Sequence, residues 1–424
     1  MFKNYRKSKL LFLILLNLIF VATGSTQTDA VEPQRITLTW EGDPATTQSV
    51  VWRTDAMVEN PCAEIALLAP HLNIAGKNAN TVPASTETIT IEAGPTVYYH
   101  TARFQNLSPA QYYLYRVGDG KIWSEWNTFR TADKENLPFQ FLYLGDVQND
   151  ILSKWSVLIR QAFSRAPMAR FYLYAGDLVN RGQDDDNWRE FFAALGFIPR
   201  MIPTVPVPGN HDTSRKLLGI RGSRLVDPLY RAHFALPKNG PDDKEEQESA
   251  FFMDYQGMRL IAVNTNSNDN PAQLQWLEKV LKESRANWNI VCHHHPLFSV
   301  GNDRNDSELR KNLMPIYQQY QVDIVLQGHD HRYGRTNKIV NEQTVSDSAR
   351  APIYIVSVSG PKAYRHNPHF AHLLHVEAGE TQCYQIINVT PEELRYEAWS
   401  LDNQLIDAFA LRKTVNGTVL VNLK

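Results

Sequence analysis

The sequence predicts an α/β sandwich with a largely parallel or mixed sheet, preceded by a separate small β domain. Three observations carry that prediction. From Phe139 onwards, apolar β-type runs alternate with stretches whose apolar residues recur at helical spacing, as in strands linked by crossover helices. Before about residue 133 the apolar residues instead alternate with period two in short runs. Five of the apolar runs after Phe139 end in Asp, Asn or His, at the carboxyl ends of sheet strands where open α/β sheets bind ligands.

Length and composition set the frame. A chain of 424 residues is expected to hold two or three domains. Its 43% apolar and 21% charged residues are ordinary for a globular protein and argue against extensive disorder. A net charge of −2 gives no general case for nucleic acid as a stable partner. Cys62, Cys292 and Cys383 cannot form a disulfide framework, and Cys292 lies in an apolar run that predicts a buried thiol. Residues 1–24 read as a signal peptide. Lys3, Arg6, Lys7 and Lys9 precede the apolar run Leu10 to Ala22, broken only by Asn17, and Ala22 and Gly24 suit cleavage after about Gly24. The run is short for a transmembrane helix, with an uncleaved anchor as the alternative. The expectation is an exported protein, periplasmic or extracellular, with no membrane contact after cleavage.

Residues 31–133 supply the β domain. Ile36 to Trp40, Ser49 to Arg53, Ile89 to Ile91, Val97 to Phe104 and Tyr112 to Val117 are its strand candidates. Leu107, Pro109 and Tyr113 match the Leu-x-Pro-x-x-x-Tyr corner of fibronectin type III domains, which this part resembles. Its aromatics (Trp40, Trp52, Tyr98, Tyr112, Tyr115, Trp123, Trp126) are read as core.

The larger domain spans 139–375. Helices are predicted through Ile151, Trp155, Leu158, Ile159 and Phe163, and through Trp188, Phe191, Phe192 and Leu195. Pro271 starts another helix and Ser307 is read as the cap of a further one. Met258 to Asn264 and Ile353 to Val358 are buried strands, and Lys238 to Glu248 is a charged loop in solvent. Residues 376–424 alternate again and form a terminal β element.

The chemistry sits in the five strand ends. These are Gly145-Asp146-Val147-Gln148, Gly176-Asp177-Leu178-Val179-Asn180, Gly209-Asn210-His211-Asp212, His293-His294-His295-Pro296 and Gly328-His329-Asp330-His331. Carboxylates, amide oxygens and imidazoles are donors for hard or borderline divalent cations.

In this order the motifs resemble the calcineurin-like metallophosphoesterases, and with the N-terminal β domain they resemble the purple acid phosphatase branch. The resemblance implies a four-layer α/β/β/α sandwich around two divalent metal ions, drawn from Fe, Mn, Zn and Mg. It implies that Asp177 bridges the two ions, that Asp146 and His331 hold the first, and that Asn210, His294 and His329 hold the second. His294 takes that role because it stands two residues before Pro296. His293 and His295 are then groups on the substrate side or behind the ligands, or packed imidazoles.

Two positions depart from the family pattern. Purple members carry a metal-binding Tyr where this chain has Asn180, so no phenolate is available there to give the colour. Where other members have a ligand His, this chain has Gln148, read either as a neutral oxygen ligand or as a neighbour of a water ligand.

The implied reaction is attack of metal-activated water on a phosphorylated small molecule, with His211 as general acid and Asp212 orienting it. His295 is read as a substrate contact. Arg332, Tyr333 and Arg335 are read as phosphate contacts or a solvated loop, with Arg335 the chosen candidate. A phosphodiesterase on the same metals and a non-catalytic exported binding protein are the alternatives.

Overall fold

A computed structural model describes residues 31–92, 94–215, 224–244, 246–267, 269–415 and 417–424; the expected signal peptide lies outside the described residues. In the N-terminal β domain, Gln34–Thr39, Gln48–Thr54, Thr96–Phe104 and Asn80–Thr90 form one antiparallel layer. Cys62–Leu67, Tyr112–Gly118 and Asn127–Arg130 form the other, and Asn80–Thr90 belongs to both. Its residues up to Pro83 pair with Cys62–Leu67, and those from Ala84 onward pair with Thr96–Phe104. A proline at that switch suits a point where the ladder changes partner. Trp52, Phe104, Tyr115 and Phe129 fill the space between the layers. The Tyr113 hydroxyl accepts the Ser108 amide at 2.8 Å, closing the corner its spacing predicted. Not all the aromatics are core. Tyr112 is exposed, and Trp123 and Trp126 are half-buried around the Arg116 guanidinium, 4.4 and 4.5 Å from their rings.

The larger domain is a sandwich of two mixed seven-stranded sheets. In the first, Thr204–Pro206, Tyr172–Tyr174 and Phe139–Leu144 are parallel. Cys383–Val389, Glu393–Ser400, Leu405–Thr414 and Gly417–Asn422 continue it antiparallel, so the C-terminal stretch is part of this sheet and adds four strands to it. In the second, Met258–Ala262, Trp288–Cys292, Ile324–Gln327 and Ile353–Val356 are parallel, edged by Phe251–Tyr255 on one side and by Tyr333–Thr336 and Leu374–Ala378 on the other.

Alternation along these strands sets the layers. Leu260, Ala262, Ile290, Cys292 and Leu326 face the core shared with Phe141, Ile387 and Phe409 of the first sheet. Ile261, Val291 and Val325 face Leu277, Leu281, Leu309 and Leu313 of the helices Pro271–Glu283 and Ser307–Gln319. The helices Ser156–Arg165 and Asp185–Leu195 contribute Leu158, Ile159 and Phe191 to the larger core, which completes the α/β/β/α order. A single π-type turn, Ile151–Trp155, leads into the first of them. The helix after Asp306 is capped by that aspartate, whose side chain accepts the Leu309 amide at 2.9 Å, and not by Ser307. The Lys238–Glu248 stretch is not wholly solvated, because Glu246 is buried and accepts from Asn264 at 2.9 Å and Ser249 at 3.1 Å.

One inner-face contact ties the two sheets together. Arg335 of Tyr333–Thr336 lies between the sheets and is fully buried. Its Nε and Nη2 meet Asp407 of Leu405–Thr414 at 2.6 and 2.9 Å. Tyr333 also donates to Asp407, at 2.6 Å, and Arg335 reaches Asn422 at 3.0 Å. The expectation that Arg335 contacts phosphate is therefore wrong. Its strand turns this side chain inward, and its charge is already neutralised. Arg332 is likewise committed, to Glu377 at 2.6 Å. Removing one partner of a buried pair strands the other's charge, so Asp407→Asn should destabilise the fold by about 3–5 kcal/mol. Urea denaturation would measure this; a change below about 1 kcal/mol would mean that water reaches the pair.

Candidate metal centre

The five motifs converge because each follows a neighbouring strand. Asp146 follows Phe139–Leu144, Asp177 follows Tyr172–Tyr174, and Asn210 follows Thr204–Pro206, all in the first sheet. His294 follows Trp288–Cys292 and His329 follows Ile324–Gln327, in the second. The carboxyl ends of both sheets thus meet over one hollow. Reaching it forces unusual backbone: Asp177, His329 and His331 have φ of 53°, 76° and 45°, in the left-handed region that L-residues occupy at a cost. Gly176, with φ 87°, is a position where glycine is required, since a Cβ there would lie 2.5 Å from His294 Nδ1.

His294 is the hub. Its Nδ1–H donates to the Ala175 carbonyl at 2.8 Å, which turns Nε2 toward the hollow. Around Nε2 stand Asp177 Oδ2 at 3.3 Å, Asn210 Oδ1 at 3.2 Å and His329 Nδ1 at 3.0 Å. Asp146 Oδ1 is 3.8 Å from His294 Nδ1. Two overlapping groups of close donors result, Asp146–Asp177–His294 and His294–His295–His329.

The cluster is short of positive charge. Asp146 is fully buried and neither of its carboxylate oxygens makes a hydrogen bond; burial, with Asp177 adding repulsion, pushes its carboxyl well above the usual range. Burial also pushes Asp177 up, but His294 and His211 outweigh it and hold that carboxyl below the ordinary value. Burial alone would lower His294, yet Asp177 and Asp146 raise it to about 9. Burial pushes His331 down to about 3, helped by Lys362, and pushes His329 well down, helped by His295. His329 and His331 are thereby kept as neutral imidazoles, the form that binds cations, whereas a cation at His294 and Asp146 would have to displace their protons.

Residues 139–333 match the family described as Calcineurin-like phosphoesterase, and residues 33–131 match that described as Purple acid Phosphatase, N-terminal domain. The chain thus carries a calcineurin-like phosphoesterase domain preceded by a purple acid phosphatase N-terminal domain. Mouse acid phosphatase type 7 is 24% identical over 446 residues, covering 96% of this chain and 91% of its own length. An uncharacterized protein of Mycobacterium tuberculosis is 26% identical over 352 residues, covering 74% of this chain; the match spans only 63% of that relative's length. Among solved structures, purple acid phosphatase PPD1 from yellow lupin (Lupinus luteus) seeds superposes with a TM-score of 0.76 at 17% identity, covering 93% of this chain and 78% of its own. The structure of PhoD superposes with a TM-score of 0.64 at 14% identity, covering 92% of each chain. These superpositions establish the fold.

The purple acid phosphatase family uses a binuclear metal centre, and the residues here fit one. The unbonded oxygens of Asp146, the unbonded Oε1 of Gln148 and the unbonded Nδ1 of His331 are buried polar atoms that nothing among the described residues satisfies. Gln148 does reach the cluster, but with its other end. Its Nε2 donates to Asp177 Oδ2 at 2.9 Å and lies 3.1 Å from His331 Nε2. An amide nitrogen cannot ligate, so in this rotamer Gln148 steadies Asp177 and His331, and a half-turn of the amide is needed to present oxygen to a cation.

Asn180, at the position of the family tyrosine, accepts from Asn149 at 3.2 Å through its side chain. Tyr143 cannot substitute for that tyrosine, because its hydroxyl is spent on the Gln327 backbone. Asp212 does not touch the His211 ring. Its fully buried carboxylate accepts the Gly209 and Leu178 amides at 2.9 and 3.1 Å, and burial, reinforced by Asp177, lifts it to about 8. The His211 ring is instead held by the Asn180 carbonyl, 2.7 Å from Nδ1.

Other groups at the centre escaped the sequence reading. Thr265 Oγ1 accepts the His295 amide at 3.1 Å and lies 2.9 Å from His295 Nδ1. Tyr364 stands edge-on to His331 with ring centres 4.6 Å apart, and Arg304 and Lys362 both lie against its ring. These residues come from loops with no periodic pattern or motif to mark them.

Gly209 tests how tightly the centre is built, since a Cβ there would sit 2.2 Å from Asp177 Oδ1. Gly209→Ala should displace that carboxylate and lower the metal bound per chain, read by elemental analysis of the purified protein. Metal content equal to wild type would show that Asp177 can move without loss of the site.

Proposed function

We propose that this centre hydrolyses phosphate esters of small molecules, with monoesters preferred and His211 as the proton donor to the leaving group. Two cations bound by Asp146, Asp177, Asn210, His294, His329 and His331 would polarise the phosphate and bring the pKa of water between them toward neutrality. Asp177, beside Asp146 and His294 in one of the donor groups, would neutralise charge on both cations. His211 carries the rest of the reading. It adjoins Asn210, its side chain is 32% exposed, and its Nε2 lies 4.0 Å from Asp177 Oδ2. With Nδ1–H donated to the Asn180 carbonyl, Nε2 is the nitrogen that faces the centre and exchanges its proton with a leaving alkoxide.

His295 contributes an oriented ring. The Thr265 hydroxyl accepts the His295 amide and lies 2.9 Å from Nδ1, which leaves Nε2 as the ring nitrogen that would meet a phosphate oxygen. The residue 1–24 pattern places the reaction outside the cytoplasm on this reading.

Purified protein should release phosphate from an aryl phosphate monoester faster than it cleaves the matching diester; the reverse order would make it a diesterase, and activity on neither would end this reading. Asp177→Asn should abolish hydrolysis, and full activity in that variant or in metal-stripped protein would exclude a two-metal reaction. His211→Ala should keep its metals and lose roughly 10²–10⁴-fold in rate with alkyl phosphates. The loss should be smaller with nitrophenyl phosphate, whose leaving group needs no proton; an equal loss for both substrates would remove His211 as the acid.

A further inference from the structure

We infer that Arg304 is the side chain that grips the substrate's phosphoryl group at this centre, held ready by Asp330 and Tyr364; the inference rests on the phosphoesterase reading above. The segment from Ser299 to Arg304 leaves the His294 loop and folds back on the His329–His331 loop. Asp330 pins it there, accepting Ser299 Oγ at 2.6 Å and the Val300 and Gly301 amides at 2.6 and 3.1 Å. Arg304 ends this segment. Its Nη1 donates to the His329 carbonyl at 2.9 Å and to Asp330 Oδ1 at 3.1 Å, and its guanidinium lies 4.9 Å from the centre of the Tyr364 ring. Tyr364 in turn packs against His331. The guanidinium is therefore fixed relative to residues of both proposed metal positions, through His329 on one side and through Tyr364 and His331 on the other.

What remains of the side chain is suited to an anion. Both hydrogen bonds leave from Nη1, so the Nε/Nη2 edge is not used by the described residues, and the side chain is 32% exposed. That edge offers two parallel N–H donors spaced for two oxygens of one phosphate, a geometry a lysine cannot reproduce. The pinning by Asp330, a buried carboxylate without access to substrate, reduces the freedom the guanidinium loses on binding. Asp330 and Tyr364 are thus positioning residues. Lys362, 5.0 Å from the centre of the same ring, adds a second cation at that rim.

Arg304→Lys separates gripping from bracing. It keeps a cation able to reach the His329 carbonyl and Asp330, and it removes the paired donors. In full-length, metal-loaded protein we expect unchanged metal content and thermal midpoint, kcat within about threefold of wild type, and about tenfold increases in KM for an aryl phosphate monoester and in the inhibition constant of inorganic phosphate. Arg304→Gln should weaken phosphate inhibition further. Phosphate inhibition within twofold of wild type in Arg304→Lys overturns the assignment, and so does loss of metal from that variant, which would make Arg304 a brace for the ligand loops. Wild-type hydrolysis distinguishes the two levels: an inactive wild type sinks the phosphoesterase reading, whereas an active wild type with an indifferent Arg304→Lys sinks only the role of Arg304.

Discussion

Two buried carboxylates set side by side are the constraint on which the centre depends. Asp146 is fully buried and its oxygens have no hydrogen-bond partner among the described residues, and Asp177, equally buried, accepts from Gln148 and the His211 amide. An isolated carboxylate in such surroundings is unfavourable by several kcal/mol and would neutralise itself by taking up a proton. The fold answers by bringing imidazoles and amides to the same place from both sheets, and by leaving acceptor atoms facing one another around His294 Nε2. Electron-pair donors gathered this way are held together by a proton on His294, whose imidazole is raised to about 9, or by a cation that takes the proton's place.

Holding that cluster requires backbone that would not persist unaided. Left-handed conformations at Asp177, His329 and His331 are unfavourable by about 1–3 kcal/mol each. Each is braced by an aspartate one or two places beyond a ligand. Asp212, after Asn210-His211, takes the amides of Gly209 and Leu178 and so locks the Asp177 loop to the Asn210 loop. Asp330, between His329 and His331, takes the amides of Val300 and Gly301 and locks the last loop to the segment after His294. The two carboxylates perform the same task in different sheets. Both are buried acceptors of backbone N–H groups and neither faces the hollow, which is why reading Asp212 as a partner of the His211 ring fails.

The boundary between what could and could not be read from the sequence follows from range. That Asp146, Asp177, Asn210, His294, His329 and His331 would come together was legible because each follows closely on the end of an apolar strand, a local pattern, and because the carboxyl ends of those strands meet. The longer helices were legible from period and start signals, apart from the π-type turn at Ile151–Trp155 and the cap at Asp306, where residues one place apart compete for the same role, whereas the single-turn helices Leu72–Lys77 and Pro228–His233 are too short to show a period. Arg335 was misread because nothing local distinguishes an arginine that points between two sheets from one that points to solvent. Its partner Asp407 lies 72 residues away. Arg304, Thr265 and Tyr364 were invisible for the same reason, since loop side chains acquire their neighbours only when distant elements pack.

The β domain is also part of the structure that holds His211. The Asn180 carbonyl fixes that ring and the Gly182 amide donates to the His211 carbonyl at 2.8 Å, so the segment after Asp177 is stitched to the Asn210 loop. The same segment runs directly into the helix Asp185–Leu195, whose Trp188 indole donates back to the Gly182 carbonyl at 2.7 Å. The start of that helix is gripped by the β domain: Asp185 receives Arg35 and Arg53, each at 2.6 Å. Burial pushes the Asp185 carboxyl up, but the two guanidinium groups outweigh it and hold it below its ordinary value. His233 completes the joint. It is stacked between Trp188 and Phe192 at 4.6 and 4.9 Å, with Nδ1 bonded to the Leu229 carbonyl at 2.6 Å and Nε2 within 3.1 Å of the Tyr99 hydroxyl. Without the β domain, Asp185 would lose both cations and the Trp188–His233–Phe192 stack would lose its outer wall. The loop that aims His211 would then depend on a helix start with nothing behind it, so a domain that holds none of the proposed ligands still helps to set the position of His211.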